Sequence, residues 1–429
     1  MRGLLADTRP LRNDHFRRLW VANIVTVVGA QLTVVAVPAQ IYADTGSSAY
    51  VGLTGLFGLV PLVVFGLYGG ALADVFDRRS ILRVTTVGLI ATSALFAVQA
   101  FAGSTNVWLL LCLFALQQAF FAVNQPTRSA VLPKLLAPDL LPAANSLNMT
   151  VFQAGAIAGP LVAGVLIPFT GFAWLYAVDT LTLFATLGAV LRLPALAVEG
   201  AATQVPGVRA VIDGFTYLRS QPVLLMSFVV DLIAMVFGMP RALFPEIAAV
   251  DFDGPGEGGL VFALLFAAIP AGAVLGGVFS GWVSRISRQG LAVVLCILVW
   301  GAAMAGFGLA VVLAEQWRTP MLLLALLMLV VGGAADMVSA AFRTSMLQSA
   351  ATDAMRGRLQ GVFIVVVAGG PRVADVLHGA TAASVGAGAA AAGGGVLVVV
   401  GTVVAALVVP SFVRYRITRT PPTAAVREG

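Results

Sequence analysis

The sequence predicts an all-α integral membrane protein: twelve transmembrane helices in two pseudo-symmetric six-helix bundles. Three observations lead there. First, 59% of the 429 residues are hydrophobic and only 10% are charged, with a mean hydropathy of +0.98. That balance is too apolar for a water-soluble domain. Second, the apolar runs are about twenty residues or longer, the length needed to cross roughly 30 Å of hydrocarbon. Third, landmarks recur roughly 210 residues apart: Arg128 with Arg343, Gly159 with Gly370, and Gly70 with Gly277.

In chain order the expected spans are 16–41, 51–73, 81–101, 107–130, 143–168 and 172–191. The longest hydrophilic stretch follows, holding Arg192, Glu199, Arg209, Asp213 and Arg219. Six further spans are expected at 222–248, 260–283, 289–314, 320–345, 359–382 and 387–410. The eleventh and twelfth are separated only by glycine density, in SVGAGAAAAGGG. The resulting organisation is an N-terminal bundle over 1–195, a linker over 196–220, a C-terminal bundle over 221–415 and a tail over 416–429.

The breaks between spans alternate in charge. Arg2, Arg9, Arg12, Arg17 and Arg18 precede the first span; Arg78, Arg79 and Arg83 mark the second-to-third break. Arg128, Lys134, Arg285, Arg288, Arg356, Arg358 and the tail arginines fall on the same side. The opposite breaks hold Asp44, Asp251, Asp253, Glu257 and Glu315, with Arg318 as a lone cation. By the positive-inside rule both termini are expected in the cytoplasm. The first fifteen residues lack the short apolar core of a cleaved signal, so the first span is expected to serve as an uncleaved anchor.

Composition also excludes classes of function. The net charge of +6 reflects the topology of the arginines, not a nucleic-acid partner. Cys112 and Cys296 both fall inside apolar runs and read as small core residues. With two histidines, two cysteines, no phosphate-binding loop and no ligand spacing, neither a cofactor, a metal site nor an enzyme is expected. Two related six-helix units are instead the plan of a secondary transporter.

Several motifs resemble the major facilitator superfamily. GGALADVFDRR at 69–79 resembles its signature loop, in which Gly70, Asp74, Arg78 and Arg79 match the glycine, acidic and basic positions. Val75 and Asp77 depart from that pattern, replacing an arginine and a glycine. The resemblance implies that this loop latches one state of an alternating-access cycle. GAIAGPLVAG at 155–164 resembles the antiporter motif of the superfamily, with Gly155, Gly159, Pro160 and Gly164 offering a close-packing face. VAVPAQIY (35–42), MPRALFPEIA (239–248), FAAIPAGAVLGGVFSG (266–281) and DAMRGRLQGVF (353–363) narrow the resemblance to a drug- and siderophore-efflux branch. It implies a monomeric, proton-coupled exporter of a small molecule, multi-pass in a bacterial cytoplasmic membrane.

Ionisable side chains at membrane depth are costly, so each is a functional candidate. Asp231 lies in the seventh span, Asp336 in the tenth, and Arg372, Asp375 and His378 in the eleventh. The last three are spaced three apart and share roughly one helical face. They form a candidate proton-coupling and ion-pair cluster. The structural alternative is Arg372 paired with Asp375 or with Asp231. Arg241 matches an arginine of the resembled branch and is a candidate contact for an anionic, catecholate-like siderophore. Gln31, Gln117, Gln118, Asn124 and Gln153 are candidates for a polar substrate path. Asp179 reads as a structural contact near the outer surface. The competing functions are multidrug antiport and a transporter-shaped sensor without turnover.

Overall fold

The computed structural model describes residues 7–194, 216–254, 258–350 and 353–416, with backbone alone at 67–75, 284, 348–350 and 353–367. Helices account for the regular structure of these residues. The first four are α1 (Asp14–Thr45), α2 (Ser48–Val75), α3 (Arg78–Phe101) and α4 (Val107–Leu135). A continuous run, Leu141–Leu191, is broken at Gly171, whose φ of 71° and ψ of 173° are not helical. We treat its limbs as α5 (141–170) and α6 (172–191). The second half comprises α7 (Pro222–Gly238), α8 (Leu260–Val278), α9 (Gln289–Val312), α10 (Arg318–Ala350), α11 (Asp353–Val385) and α12 (Ala387–Val408).

Local chemistry sets many of these boundaries. The Asn13 carboxamide accepts from the Phe16 amide at 3.0 Å to open α1, and Gly46, at φ 64°, closes it. Asp77 accepts from the Arg79 amide at 3.3 Å and so caps α3; Asn106 does the same for α4. The α11–α12 turn falls at Gly386, the first glycine of the glycine-dense stretch, with φ 86°. A side chain there would be strained, which is why glycine marks the corner.

Two sequence expectations need correction. The seventh span was expected to run as one helix to 248, but regular α-helix stops at Gly238. Met239 is extended because it precedes Pro240, and the ring disfavours the helical conformation there. The chain then continues through a short 3-10 turn, Arg241–Leu243, and a π-turn, Ile247–Asp251. The assignment of both cysteines to the core is also revised: Cys112 is exposed on the helix surface and Cys296 half-buried. Residue 195, the expected linker as far as 215 and the tail from 417 to 429 lie outside the described residues.

The direction of the limbs follows from their partners on α1. Gly155 packs on Val27 and Gly159 on Gln31, so α5 runs parallel to α1. Thr26 hydrogen-bonds to Thr186, and Thr33 to Asp179, so α6 runs antiparallel. The chain therefore turns back at Gly171 and makes two crossings. In the second half α7 packs against both α11 and α12, as α1 does against α5 and α6. The pairs α2–α4 and α8–α10 correspond likewise. The halves meet along two seams, α2 against α11 and α5 against α8. Among the described residues, twelve long helices result, arranged as two pseudo-symmetric bundles. Their outer surface is apolar, with Leu407 73% and Val408 71% exposed, as hydrocarbon contact requires.

Candidate functional site

A cavity of about 270 Å³ lies between the two halves. Val34, Val37 and Pro38 of α1, Thr54 and Leu62 of α2, and Phe114, Gln118 and Phe121 of α4 form one wall. Arg241, Phe266 of α8, and Pro371, Arg372 and Asp375 of α11 form the other.

Arg372 is the polar centre of this cavity. Its Nη2 donates to Gln118 Oε1 at 3.2 Å, and its guanidinium carbon sits 5.3 Å from the centre of the Phe114 ring. A cation over an aromatic face is attracted by the ring quadrupole, more strongly where water is scarce. Asp375, one helical turn further along α11, lies within electrostatic reach of both Arg372 and Arg241. Among the described residues no hydrogen bond joins Arg372 to Asp375; the guanidinium turns to Gln118 instead.

Glycines make this approach possible. Gly52, Gly55 and Gly58 line the face of α2 that meets α11. A Cβ on Gly55 would stand 2.9 Å from the Asp375 Cβ, and one on Gly58 would stand 3.1 Å from Arg372 Cζ. Their three-residue spacing is legible in YVGLTGLFG, but small-residue faces are common in membrane bundles, so the spacing alone does not mark a functional seam.

The other candidates are dispersed. His378 is 2% exposed and bonds the Phe237 carbonyl at 3.0 Å, tying α11 to the end of α7 away from the cavity. Asn124 donates to Thr85 Oγ1 at 2.8 Å and holds α4 to α3. Gln31 packs on Gly159; Gln117 and Gln153 are half-buried outside the cavity lining. Asp179 is buried in the N-terminal bundle, accepting from Thr33 at 2.7 Å and Ser93 at 2.8 Å. Gly155 and Gly159 face α1, whereas Gly164 faces α8 across the second seam, where its carbonyl accepts from the Gly259 amide at 2.9 Å. Pro160 is buried beside them.

Asp231 takes a partner the sequence reading did not consider. It forms a buried ion pair with Arg343 of α10, whose Nη2 also reaches Asp336 Oδ1 at 3.5 Å. Arg343 stands where the first half has Arg128. The Arg128 Nη2 meets the Leu19 carbonyl at 3.5 Å, so a carboxylate in one half corresponds to a backbone oxygen in the other.

Of the signature loop, only the backbone is described at Gly70 and Asp74. Arg78 Nη1 donates to the Ala130 carbonyl at 3.0 Å, and Arg79 Nη2 donates to the Leu191 carbonyl at 2.6 Å. The second contact places a cation at the carbonyl end of α6, where the helix dipole favours it.

Among the described residues, one group of contacts between the halves lies at the face opposite the chain termini. Ser48, at the start of α2, donates to Glu246 in the π-turn region after α7. Gly379 of α11 abuts Ser48 and Gly52, and the Gly164–Gly259 bond lies at the same level.

Two related bundles around a largely apolar cavity with a few charged groups at their interface define a secondary transporter of the major facilitator class. The chain belongs to the transmembrane secretion effector family, whose model matches residues 6–417. It is 28% identical over 419 residues to the enterobactin exporter EntS of Escherichia coli O157:H7, covering 96% of both chains. The same identity and coverage hold for EntS of Shigella boydii. Among solved structures, a mutant of the nucleoside transporter NupG superposes with a TM-score of 0.73 at 12% identity, covering 93% of this chain and 99% of that one. A POT family transporter bound to 5-aminolevulinic acid gives 0.74 at 11% identity, covering 93% and 97%. At that identity the likeness concerns the fold. This is a multi-pass membrane transporter of a small molecule, and not an enzyme.

Proposed function

We propose that this protein exports a small amphipathic anion with an aromatic face, such as a catecholate-like siderophore, by proton-coupled alternating access. The reading rests on one observation above all: Arg372 lies over Phe114 and against Gln118, with Arg241 in the same cavity. Two guanidiniums in one cavity, one of them over an aromatic ring, suit a planar, negatively charged group. The likeness to EntS, an enterobactin exporter, points the same way. At about 270 Å³ the cavity is smaller than most ligand pockets, so a multi-ring substrate requires the halves to part further.

In this reading the chain is a monomer in a bacterial cytoplasmic membrane with both termini inside. The face that carries the Ser48–Glu246 contact then looks outward. Asp231, Asp336 and Asp375 are the carboxylates available to exchange protons. A second reading, efflux of cationic drugs, is favoured by Asp375 beside Phe114, Phe121 and Phe266.

The test is uptake into energised inverted vesicles, where export appears as accumulation. A catecholate siderophore and a cationic dye are compared, each with and without protonophore. Protonophore-sensitive uptake of the siderophore supports the first reading and of the dye the second. Uptake of neither defeats both.

A further inference from the structure

We propose that Asp231, Arg343 and Asp336 form a one-proton site, in which Asp336 is the carboxylate that takes up and releases the proton. The inference deepens the proton-coupled reading above and places the coupling outside the substrate cavity.

Charge counting comes first. Two carboxylates and one guanidinium carry a net charge of −1 when all are ionised. An uncompensated charge in a membrane bundle is costly, whereas one bound proton brings this cluster to neutrality. The cluster thus has a place for a single proton.

Geometry decides where it goes. The Asp231 side chain is 3% exposed and Arg343 is 8% exposed; they are in direct contact. Protonating Asp231 would leave the buried Arg343 without its closest counter-charge. Asp336 is 33% exposed and lies 3.5 Å from the same guanidinium, so it is the less enclosed of the two carboxylates and gives up less on protonation. The Nε of Arg343 is buried without a hydrogen-bond partner among the described residues. The guanidinium is therefore incompletely satisfied, and it can turn towards whichever carboxylate is ionised.

Among the described residues, no further charged group faces the cluster. From α7 the cluster is faced by Asp231 itself, and from α9 the thiol of Cys296 lies within electrostatic reach of Asp336. The α8 segment that packs on α10 has no ionisable residue between Leu260 and Val278. At the end of α10, Ser345 accepts from Gln289 at 3.2 Å, a neutral contact. The repeat provides an internal comparison: the pocket around Arg128 is lined by Phe16, Leu19, Trp20, Leu132 and Asn148, with no carboxylate. The guanidinium occurs in both halves, but the proton site is confined to the second.

Loss of the proton gives Arg343 two ionised partners on two helices, α7 and α10. Uptake leaves it with Asp231 alone. The α7–α10 contact thereby acquires two arrangements that differ by one proton, as a bistable coupling element requires.

The test needs no substrate. Full-length protein in lipid nanodiscs is titrated between neutral and acid pH, and bound protons are counted while the carboxyl bands are followed by infrared difference spectroscopy. Asp336→Asn is expected to bind one proton fewer per chain and to lose a protonated-carboxyl band. Asp336→Glu is expected to restore both, which separates loss of the site from loss of the fold. Wild-type proton uptake in Asp336→Asn, or a carboxyl band lost only in Asp231→Asn, overturns the assignment. Because no transported compound is involved, failure of this test is distinguishable from failure of the siderophore reading.

Discussion

Arg372 on α11 donates to Gln118 on α4 at 3.2 Å, a side-chain bond that joins the two halves across the cavity. A charged hydrogen bond of this kind is worth about 1.5–3 kcal/mol, and removing its acceptor costs at least as much where water is excluded. Arg372→Gln should therefore lower transport of an anionic substrate by about tenfold or more, with Arg372→Lys intermediate because the planar fork is lost. Concentration-dependent uptake in inverted vesicles checks this; equal loss for an anion and a cation would remove Arg372 from substrate recognition.

The α2–α11 seam depends on Gly55. Its absent side chain leaves room for the Asp375 Cβ, which a new Cβ would approach to 2.9 Å, and for the Arg372 carbonyl. Gly55→Val should force the helices apart, at a cost of about 1–3 kcal/mol for overpacking. A lowered unfolding temperature in detergent, together with a widened spin-label distance between α2 and α11, is the expected result. An unchanged distance would show that the seam yields elsewhere.

Ser48 and Glu246 join the two halves at the face opposite the termini. Ser48→Ala removes the donor and leaves the carboxylate to water, shifting the equilibrium by about 1.5–3 kcal/mol towards opening. With Cys112 and Cys296 replaced, a cysteine at Val51, which is buried and lines the cavity, should react faster with an impermeant maleimide added from that face. A labelling rate equal to the parent would mean that the glycine contacts alone hold the halves together there.

Asp179 pins three helices of the N-terminal bundle through Thr33 on α1 and Ser93 on α3. Asp179→Ala should destabilise by about 1–3 kcal/mol for each buried hydroxyl left without an acceptor. Asp179→Asn keeps an acceptor oxygen and should cost less. Thermal unfolding of the two variants ranks them, and the reverse order would indicate that the carboxyl contributes through its charge.

Much of the architecture was legible along the chain. Apolar runs long enough to cross a membrane leave few alternatives to helix, because every backbone polar group must be paired internally. The break at Gly171 fell within the expected gap between the fifth and sixth spans, and Gly386 settled the turn marked only by glycine density. The error at the seventh span came from reading apolar composition through Met239–Pro240, where a local steric rule stops the helix. The site was less legible. Arg372, Asp375 and His378 share a spacing, yet only the first two line the cavity, because neighbouring helices divide the α11 face between α2 and α7. Spacing reports a shared face; it does not report what lies opposite.

The sequence by itself determined the class of environment, the number of crossings, the internal repeat and the set of charges left at membrane depth. Those follow from hydrophobicity and chain length, which are properties of each segment taken alone. Only the tertiary structure decided the partners: Arg343 for Asp231, Gln118 for Arg372, Glu246 for Ser48. The members of each pair lie more than a hundred residues apart in the chain, in helices that lipid alone would not order. Which ones meet is set by close packing at small residues such as Gly55 and Gly164, and that is a property of surfaces in contact.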